Sequence, residues 1–220
     1  MLAIPTRGEI NSNTVRRILE LQEKFPGVIY HIEAASASSS STRNQIVRRF
    51  RQDTQCEVLI QIDDDVGPRM TVLDLADSPY DIVAGPYFLV REEMNIPFPS
   101  AFRWTGTGYV PIDNVFSQTG IVPCDAVSTG CMAVKRRVFE HPDLTTPFDM
   151  KYDEWGVVKW SDDIHFCHRA KQAGFTIAAD FTQSADHMPR SLSLNRLQQG
   201  YMHAFSMAQK KGTPLVTLGR

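Results

Sequence analysis

An excess of charge of one sign is missing from this 220-residue chain. Lys and Arg number 23 against 25 Asp and Glu, a formal net charge of −2. That balance gives no global basic field to draw in nucleic acid or an anionic membrane. Arg43, Arg48, Arg49 and Arg51 cluster locally and leave a basic patch open. Long hydrophobic runs are missing too. No stretch approaches the ~20 apolar residues of a membrane span. The opening Met1-Leu2-Ala3-Ile4-Pro5-Thr6-Arg7-Gly8 is broken too early for a signal peptide. Cysteine is scarce: Cys56, Cys124, Cys131 and Cys167 form no C-x-x-C pair and read as small apolar fillers in a reducing compartment. These features lead us to expect a cytoplasmic protein. There is no internal repeat and no linker. The one biased segment, Ala34 to Thr42, is rich in Ala and Ser and reads as a flexible loop between a strand and a helix.

What is present is the composition of an ordinary globular protein, 42% apolar and 22% charged, at a length that fits a single α/β domain. Leu2–Ile4 reads as a first strand. Thr14–Lys24 follows as an amphipathic helix capped by Asn11, Ser12 or Asn13, with Val15, Ile18, Leu19 and Gln22 at helical spacing. Val28–Ile32 is a second strand, Arg43–Arg51 a second helix, and Glu57–Ile62 a third strand. A helix from Pro68 to Leu75 and a strand at Asp81–Gly85 complete an alternation expected of a doubly wound parallel sheet. Later come a long irregular stretch from Phe88 to Gly108 and strands at Ile121–Val127 and Cys131–Val134. A short helix at Arg136–His141, a strong one at Asp162–Ala173, a strand at Ile177–Ala179 and a final helix at Leu192–Lys210 follow.

The most informative stretch is Leu59-Ile60-Gln61-Ile62-Asp63-Asp64-Asp65-Val66. A buried strand runs straight into three carboxylates, which repel one another and lose solvation near the core. A divalent cation would remove both problems. On an extended chain Asp63 and Asp65 point the same way and could share it. The plain alternative is a solvated acidic turn. Ligands of doubly wound sheets bind at the carboxyl ends of strands, where this triplet lies. A second pair of acids, Asp162 and Asp163, opens the helix after Trp160-Ser161. Carboxylates there face the positive end of the helix dipole and stay ionised. Ile164, Phe166, Cys167 and Ala170 would anchor them rigidly, as a general base requires. The alternative is that one acid is a cap.

Taken together, these segments resemble the GT-A-fold nucleotide-sugar-dependent glycosyltransferases, in a family-2-like form. The acidic triplet resembles their Asp-x-Asp signature. Val127 to Phe139 resembles the glycine turn, strand and basic helix opening that lie against donor sugar and acceptor. Trp160 to Phe175 resembles their Glu-Asp-x-x-Phe-x-x-Arg helix, with Asp162 in place of Glu. Ala185-Asp186-His187-Met188 resembles the late histidine that completes the metal site. Ile4 to Ile10 and Arg43-Asn44 resemble the segments that hold the nucleotide. The resemblance covers about residues 2 to 190.

The resemblance implies an α/β fold of GT-A type: a Rossmann-like, mostly parallel sheet flanked by helices, with a smaller mixed acceptor-side part. It implies one domain over 1–220, with a nucleotide-binding half at about 1–90, an acceptor and catalytic half at about 91–190, and a C-terminal helix at 191–220. Asp65 and His187, with Asp63, would bind Mn²⁺ or Mg²⁺; mixed nitrogen and oxygen ligation favours Mn²⁺. Thr6, Arg7, Glu9, Arg43, Asp63 and Asp64 would hold the nucleotide-diphosphate sugar, a UDP-sugar first among donors. Asp163 would be the base in an inverting reaction. In a retaining one, Asp163 or Asp162 would position the sugar. The acceptor is a small molecule, a glycan or a modified DNA base, with no obligate protein partner. The missing anchor suggests a bacterial or phage-encoded enzyme. Two other classes stay open: a nucleotidyltransferase acting on a sugar phosphate, for which Thr6-Arg7-Gly8-Glu9 is a poor phosphate loop, and a non-catalytic nucleotide-sugar binder.

Overall fold

The computed structural model describes residues 1–34, 38–90, 97–113 and 117–188. The final helix expected at 192–210 lies outside them. The first half runs β1 (Leu2–Thr6), α1 (Ser12–Lys24), β2 (Tyr30–Ala34), α2 (Ser39–Asp53), β3 (Val58–Ile62), β4 (Val66–Gly67) and β5 (Ile82–Ala84). Two hairpin-rich segments follow: β6 (Phe88–Val90), β7 (Pro97–Pro99), β8 (Ala101–Trp104), β9 (Tyr109–Pro111), then β10 (Ile121–Pro123) and β11 (Ala126–Val127). The chain continues through β12 (Cys131–Lys135), α3 (Arg136–Phe139), β13 (Lys151–Tyr152), β14 (Val158–Trp160), α4 (Asp162–Gln172), β15 (Ile177–Asp180) and β16 (Asp186–His187).

Seven strands form one mixed sheet in the order β10-β15-β5-β12-β3-β1-β2. β2, β1, β3, β5 and β15 run the same way; β12 and β10 oppose their neighbours. The direction of β12 matters. Its first residue, Cys131, lies opposite Ile62, the last residue of β3. The turn before β12 therefore meets the carboxyl ends of β1 and β3 at a single sheet edge. At the same edge β16 pairs with β4, setting His187 opposite Val66.

Alternation along the strands feeds two apolar layers. Leu2, Ile4, Ile60 and Ile62 pack on one face with Ile18 and Leu21 of α1. Ala3 and Leu59 face the other, with Ile46, Val47 and Phe50 of α2, Phe139 of α3 and Phe166 of α4. The Phe139 and Phe166 rings stack 5.8 Å apart and Phe148 lies 4.9 Å from Phe166. This aromatic layer fixes α4 against the sheet.

Several expectations shift. The α1 stripe is Thr14, Ile18 and Leu21, whereas Val15 and Leu19 are exposed. The helix from Pro68 is a short 3-10 turn at Val72–Asp77. The serine run read as a loop is instead the start of α2: the Ser38 side chain accepts from the Ser41 amide and caps it. Hydroxyl side chains compete for local backbone bonds, so such a run can initiate a helix as readily as interrupt one. The strand expected across Ile121–Val127 is two strands in different sheets, β10 and β11. Among the described residues, no helix is long and apolar enough to cross a membrane.

A candidate active site at the strand ends

The strand β3 ends at Ile62, and the chain turns at once, with the Val66 amide donating to the Asp63 carbonyl at 3.1 Å. The triplet is therefore a turn and not an extended run, and its three carboxylates take three different partners. Both Asp63 oxygens accept from Arg43 Nη2, at 2.9 and 3.1 Å. One Asp64 oxygen accepts from the Thr6 hydroxyl at 3.0 Å and from the Arg7 amide at 3.4 Å. Asp65 Oδ2 stands 3.5 Å from His187 Nε2. The repulsion expected among three adjacent acids is relieved by this divergence.

Arg43 holds the centre. It sits on α2 with its side chain 9% exposed, and its other terminal nitrogen reaches Asp162 Oδ2 at 2.9 Å. Burial works against its charge, but Asp63 and Asp162 outweigh that and hold the guanidinium protonated, above its ordinary range. Ser40, one turn earlier, donates to the same Asp162 oxygen at 2.9 Å. Asp162 is thus fully engaged in structure at the first helical position of α4.

Asp163 differs. Ser161 precedes α4 without capping it, and its hydroxyl bonds the Asp163 carboxylate. The Ile164 amide donates to the same carboxylate at 2.8 Å. Burial of the Asp163 carboxyl pushes its pKa above the usual carboxylate range, and the neighbouring Asp162 charge adds to the rise. Ser161, Arg43 and Ile164 pull the other way without reversing it.

Pro5, Thr6 and Arg7 from the end of β1, Ser39, Thr42 and Arg43 from α2, the triplet and His187 line one cleft of about 400 Å³. Thr6 lines it: its hydroxyl proton is shared between the Asp64 carboxylate and the Glu9 carbonyl, the latter at 2.9 Å, and its oxygen receives the Gly8 amide at 3.1 Å. Of the nucleotide-binding residues named from sequence, Thr6, Arg7, Arg43, Asp63 and Asp64 lie in this cleft, while Glu9 meets the same turn through its carbonyl.

No local pattern pointed to Tyr87. This buried ring lies 5.1 Å from the His187 ring, tilted by 36°. The same ring presses on Gly130: a Cβ there would come within 2.5 Å of the Tyr87 ring. Glycine in Ser128-Thr129-Gly130 is thus required by close approach. The Gly130 carbonyl also accepts from the Asp63 amide at 3.0 Å. One turn thereby touches both the triplet and the support of His187.

A divalent cation fits at Asp65 and His187. The two atoms are close enough to share an ion through one imidazole nitrogen and one carboxylate oxygen. Among the described residues no cluster of three or more His, Cys, Asp or Glu side chains is placed to hold a metal. Such a two-residue site leaves positions for water and for phosphate oxygens, as sites for Mg²⁺-like ions on nucleotides do.

No protein-family model matches the chain, and no curated protein matches its sequence. Solved structures do match in fold. A197 from STIV aligns with a TM-score of 0.58 at 16% identity, over 89% of this chain and 90% of that one. GalNAc-T7, solved with UDP, GalNAc and Mn²⁺, aligns with a TM-score of 0.50 at 11% identity, over 100% of this chain and 52% of that one. This chain spans about half the length of that second protein. At these identities the likeness concerns the fold, which is α/β and GT-A-like.

Proposed function

We propose that the chain is a divalent-metal-dependent glycosyltransferase that moves a sugar from a nucleotide-diphosphate sugar, a UDP-sugar first, to an acceptor hydroxyl. The observation that carries this reading is the Arg43 bridge. It joins the acids at the strand end, Asp63, to those at the helix mouth, Asp162, and leaves Asp65 and Asp163 outside that ion pair. Four neighbouring carboxylates thereby divide into two held by a cation and two available for chemistry. Residues 1–90 would supply the donor side and residues 91–190 the acceptor side, within one domain. The free thiols of all four cysteines fit a cytoplasmic setting.

In this reading Thr6, Arg7 and Asp64 shape the floor that receives the nucleoside, with Glu9 buttressing the turn. Asp65 and His187 would hold Mn²⁺ or Mg²⁺. Asp63 is occupied by Arg43 and orders the cleft wall rather than joining the metal. The cation, when bound, neutralises charge that develops on the departing diphosphate. Asp163 takes the proton from the acceptor hydroxyl; a carboxyl raised by burial is better matched to that work near neutral pH than an ordinary one. Arg43 and Ser40 hold Asp162 in place, and so fix the first turn of α4 beside Asp63.

The test is a donor-hydrolysis and transfer screen over nucleotide sugars, with and without Mn²⁺. A UDP-sugar turned over only with metal supports the assignment. Pyrophosphate release from a nucleoside triphosphate and a sugar phosphate would establish a nucleotidyltransferase, and binding without turnover would establish a nucleotide-sugar binder.

A further inference from the structure

A second groove lies on the other side of the α2 N-terminus from the candidate donor cleft. It encloses about 540 Å³ between the first turns of α2 and the segment that leads into β13. That volume falls within the ~300–1,000 Å³ of small-molecule sites. Ser40 belongs to this groove, and its hydroxyl bonds Asp162 at 2.9 Å, so the groove ends at the α4 mouth. Asn44 clamps the far wall, donating to the Phe148 carbonyl at 2.7 Å and accepting from its amide at 3.0 Å.

The chemistry of the lining is particular. Half of the lining residues carry aliphatic hydroxyl or amide groups: Ser38, Ser40, Ser41, Asn44 and Gln45. Among the described residues, the Ser41 hydroxyl and the Gln45 amide make no hydrogen bond within the chain. The lining charges are Arg48 and Asp149, and each already has a partner: Arg48 bonds Gln52, and Asp149 pairs with Arg169 and His165. The groove therefore offers no net charge to an anion. It offers neutral donors and acceptors on one side and an aromatic wall, Tyr152, on the other, with Tyr152 52% exposed.

The hairpin β13–β14 that carries Tyr152 bears a second exposed aromatic residue. Trp155 stands at its tip, 82% exposed. The tip is held in shape: Asp153 Oδ1 accepts from the Trp155 amide at 2.9 Å and the Val157 amide at 2.8 Å, and Gly156 takes a positive φ of 76°. The base is also anchored, because Trp160 packs 4.4 Å from His168 and 5.9 Å from Trp104. A large indole on a rigid turn is presented at low entropic cost. The flanking Asp153 and Glu154 disfavour an anionic membrane as the occupant.

We infer that this groove and hairpin form the acceptor subsite and take a saccharide chain, with its hydroxyls on Ser41 and Gln45 and its C–H ring faces on Tyr152 and Trp155. A sugar is the ligand that presents hydroxyls at its rim and an apolar face at once. This inference rests on the glycosyltransferase reading and gives it an acceptor class. The hairpin leads straight into Asp162 and Asp163, so a chain lying along it enters the base end-on. Trp155 would then contact units remote from the reacting hydroxyl.

The test uses a glycan array of neutral, amino and acidic sugars, probed with the labelled full chain in the presence of UDP and Mn²⁺. At least one glycan class binds the unaltered chain. Tyr152→Ala and Trp155→Ala each weaken that binding about tenfold. Both residues are exposed, so thermal melting of the variants stays at the parent value. UDP affinity, measured separately by calorimetry with Mn²⁺, stays unchanged in both. No bound glycan, or glycans held equally by the variants, overturns the inference. Loss of UDP binding in the unaltered chain with glycan binding retained overturns the transferase reading and leaves the saccharide groove standing.

Discussion

Arg43 Nη1 and Asp162 Oδ2 meet at 2.9 Å across 119 residues of sequence. The pair is buried on both sides, with each side chain 9% exposed. Arg43→Met leaves Asp63 and Asp162 facing each other without a cation, and we expect a loss of about 3–5 kcal/mol in urea unfolding. Arg43→Lys loses less, since one ammonium keeps the charge but cannot fork to both acids. Equal stability of Arg43→Met and the parent would show that the bridge contributes nothing.

Asp163→Asn separates activity from stability. Transfer falls by about 10²–10⁴-fold, as expected on removing a general base. Stability moves the other way. The folded pKa of Asp163 is raised, so the folded state prefers the protonated carboxyl; the cost to stability sets in as pH rises through the ordinary carboxylate value and is complete above the folded one. The asparagine variant is therefore more stable than the parent at neutral pH. The difference vanishes as pH falls below the ordinary carboxylate range. The acid limb of the parent's kcat/KM profile lies above that range as well. A variant less stable than the parent at pH 7 contradicts the assignment.

Gly130→Ala pushes a methyl into the Tyr87 ring, which lies against His187. Overpacking of this kind costs about 1–3 kcal/mol. It also displaces the support of His187, the proposed metal ligand, and Mn²⁺ binding is expected to weaken about 10–100-fold, the usual effect of disturbing residues behind a ligand. Tyr87→Phe keeps the ring contact and leaves Mn²⁺ affinity near the parent value. Calorimetry of both variants decides whether the turn at 128–130 acts through Tyr87.

Asp81 provides the contrast of an acid that serves structure alone. Burial would raise its pKa, yet the Thr176 amide and hydroxyl and the Arg137 guanidinium outweigh burial and lower it. Its stabilisation is present at neutral pH and disappears as pH drops through the depressed folded value. Asp81→Asn costs about 1–3 kcal/mol in chemical denaturation and leaves Mn²⁺ and UDP affinities unchanged.

The elements that build the site were legible where a local signal exists. The hydrophobic strand before the triplet, the glycine stop after α4 and the Asn11 cap of α1 all stand in the structure. Asp65 and His187, which the resemblance to GT-A enzymes sets together, lie 3.5 Å apart. What local patterns could not give are partners set by topology. The triplet reads as extended in sequence, but a turn after Ile62 sends its carboxylates apart. Arg43 reads as a nucleotide contact, but its neighbours are chosen by the packing of α2 against α4. β12 opposes its neighbours because the chain crosses back, and no residue pattern within Cys131–Lys135 states a direction. The glycine turn at Gly130 was legible as a place of close approach, but its neighbour, Tyr87, was not, because that contact is created by the fold.

The most direct measurement is a calorimetric titration of Mn²⁺ into the full chain with UDP present, on the parent, Asp65→Asn and His187→Ala. We expect saturable Mn²⁺ binding in the parent, weakened more than about tenfold in each variant, with thermal stability without metal near the parent value. Mn²⁺ affinity that is unchanged in both variants, or a parent that binds no Mn²⁺ with UDP present, would contradict the metal-dependent transferase.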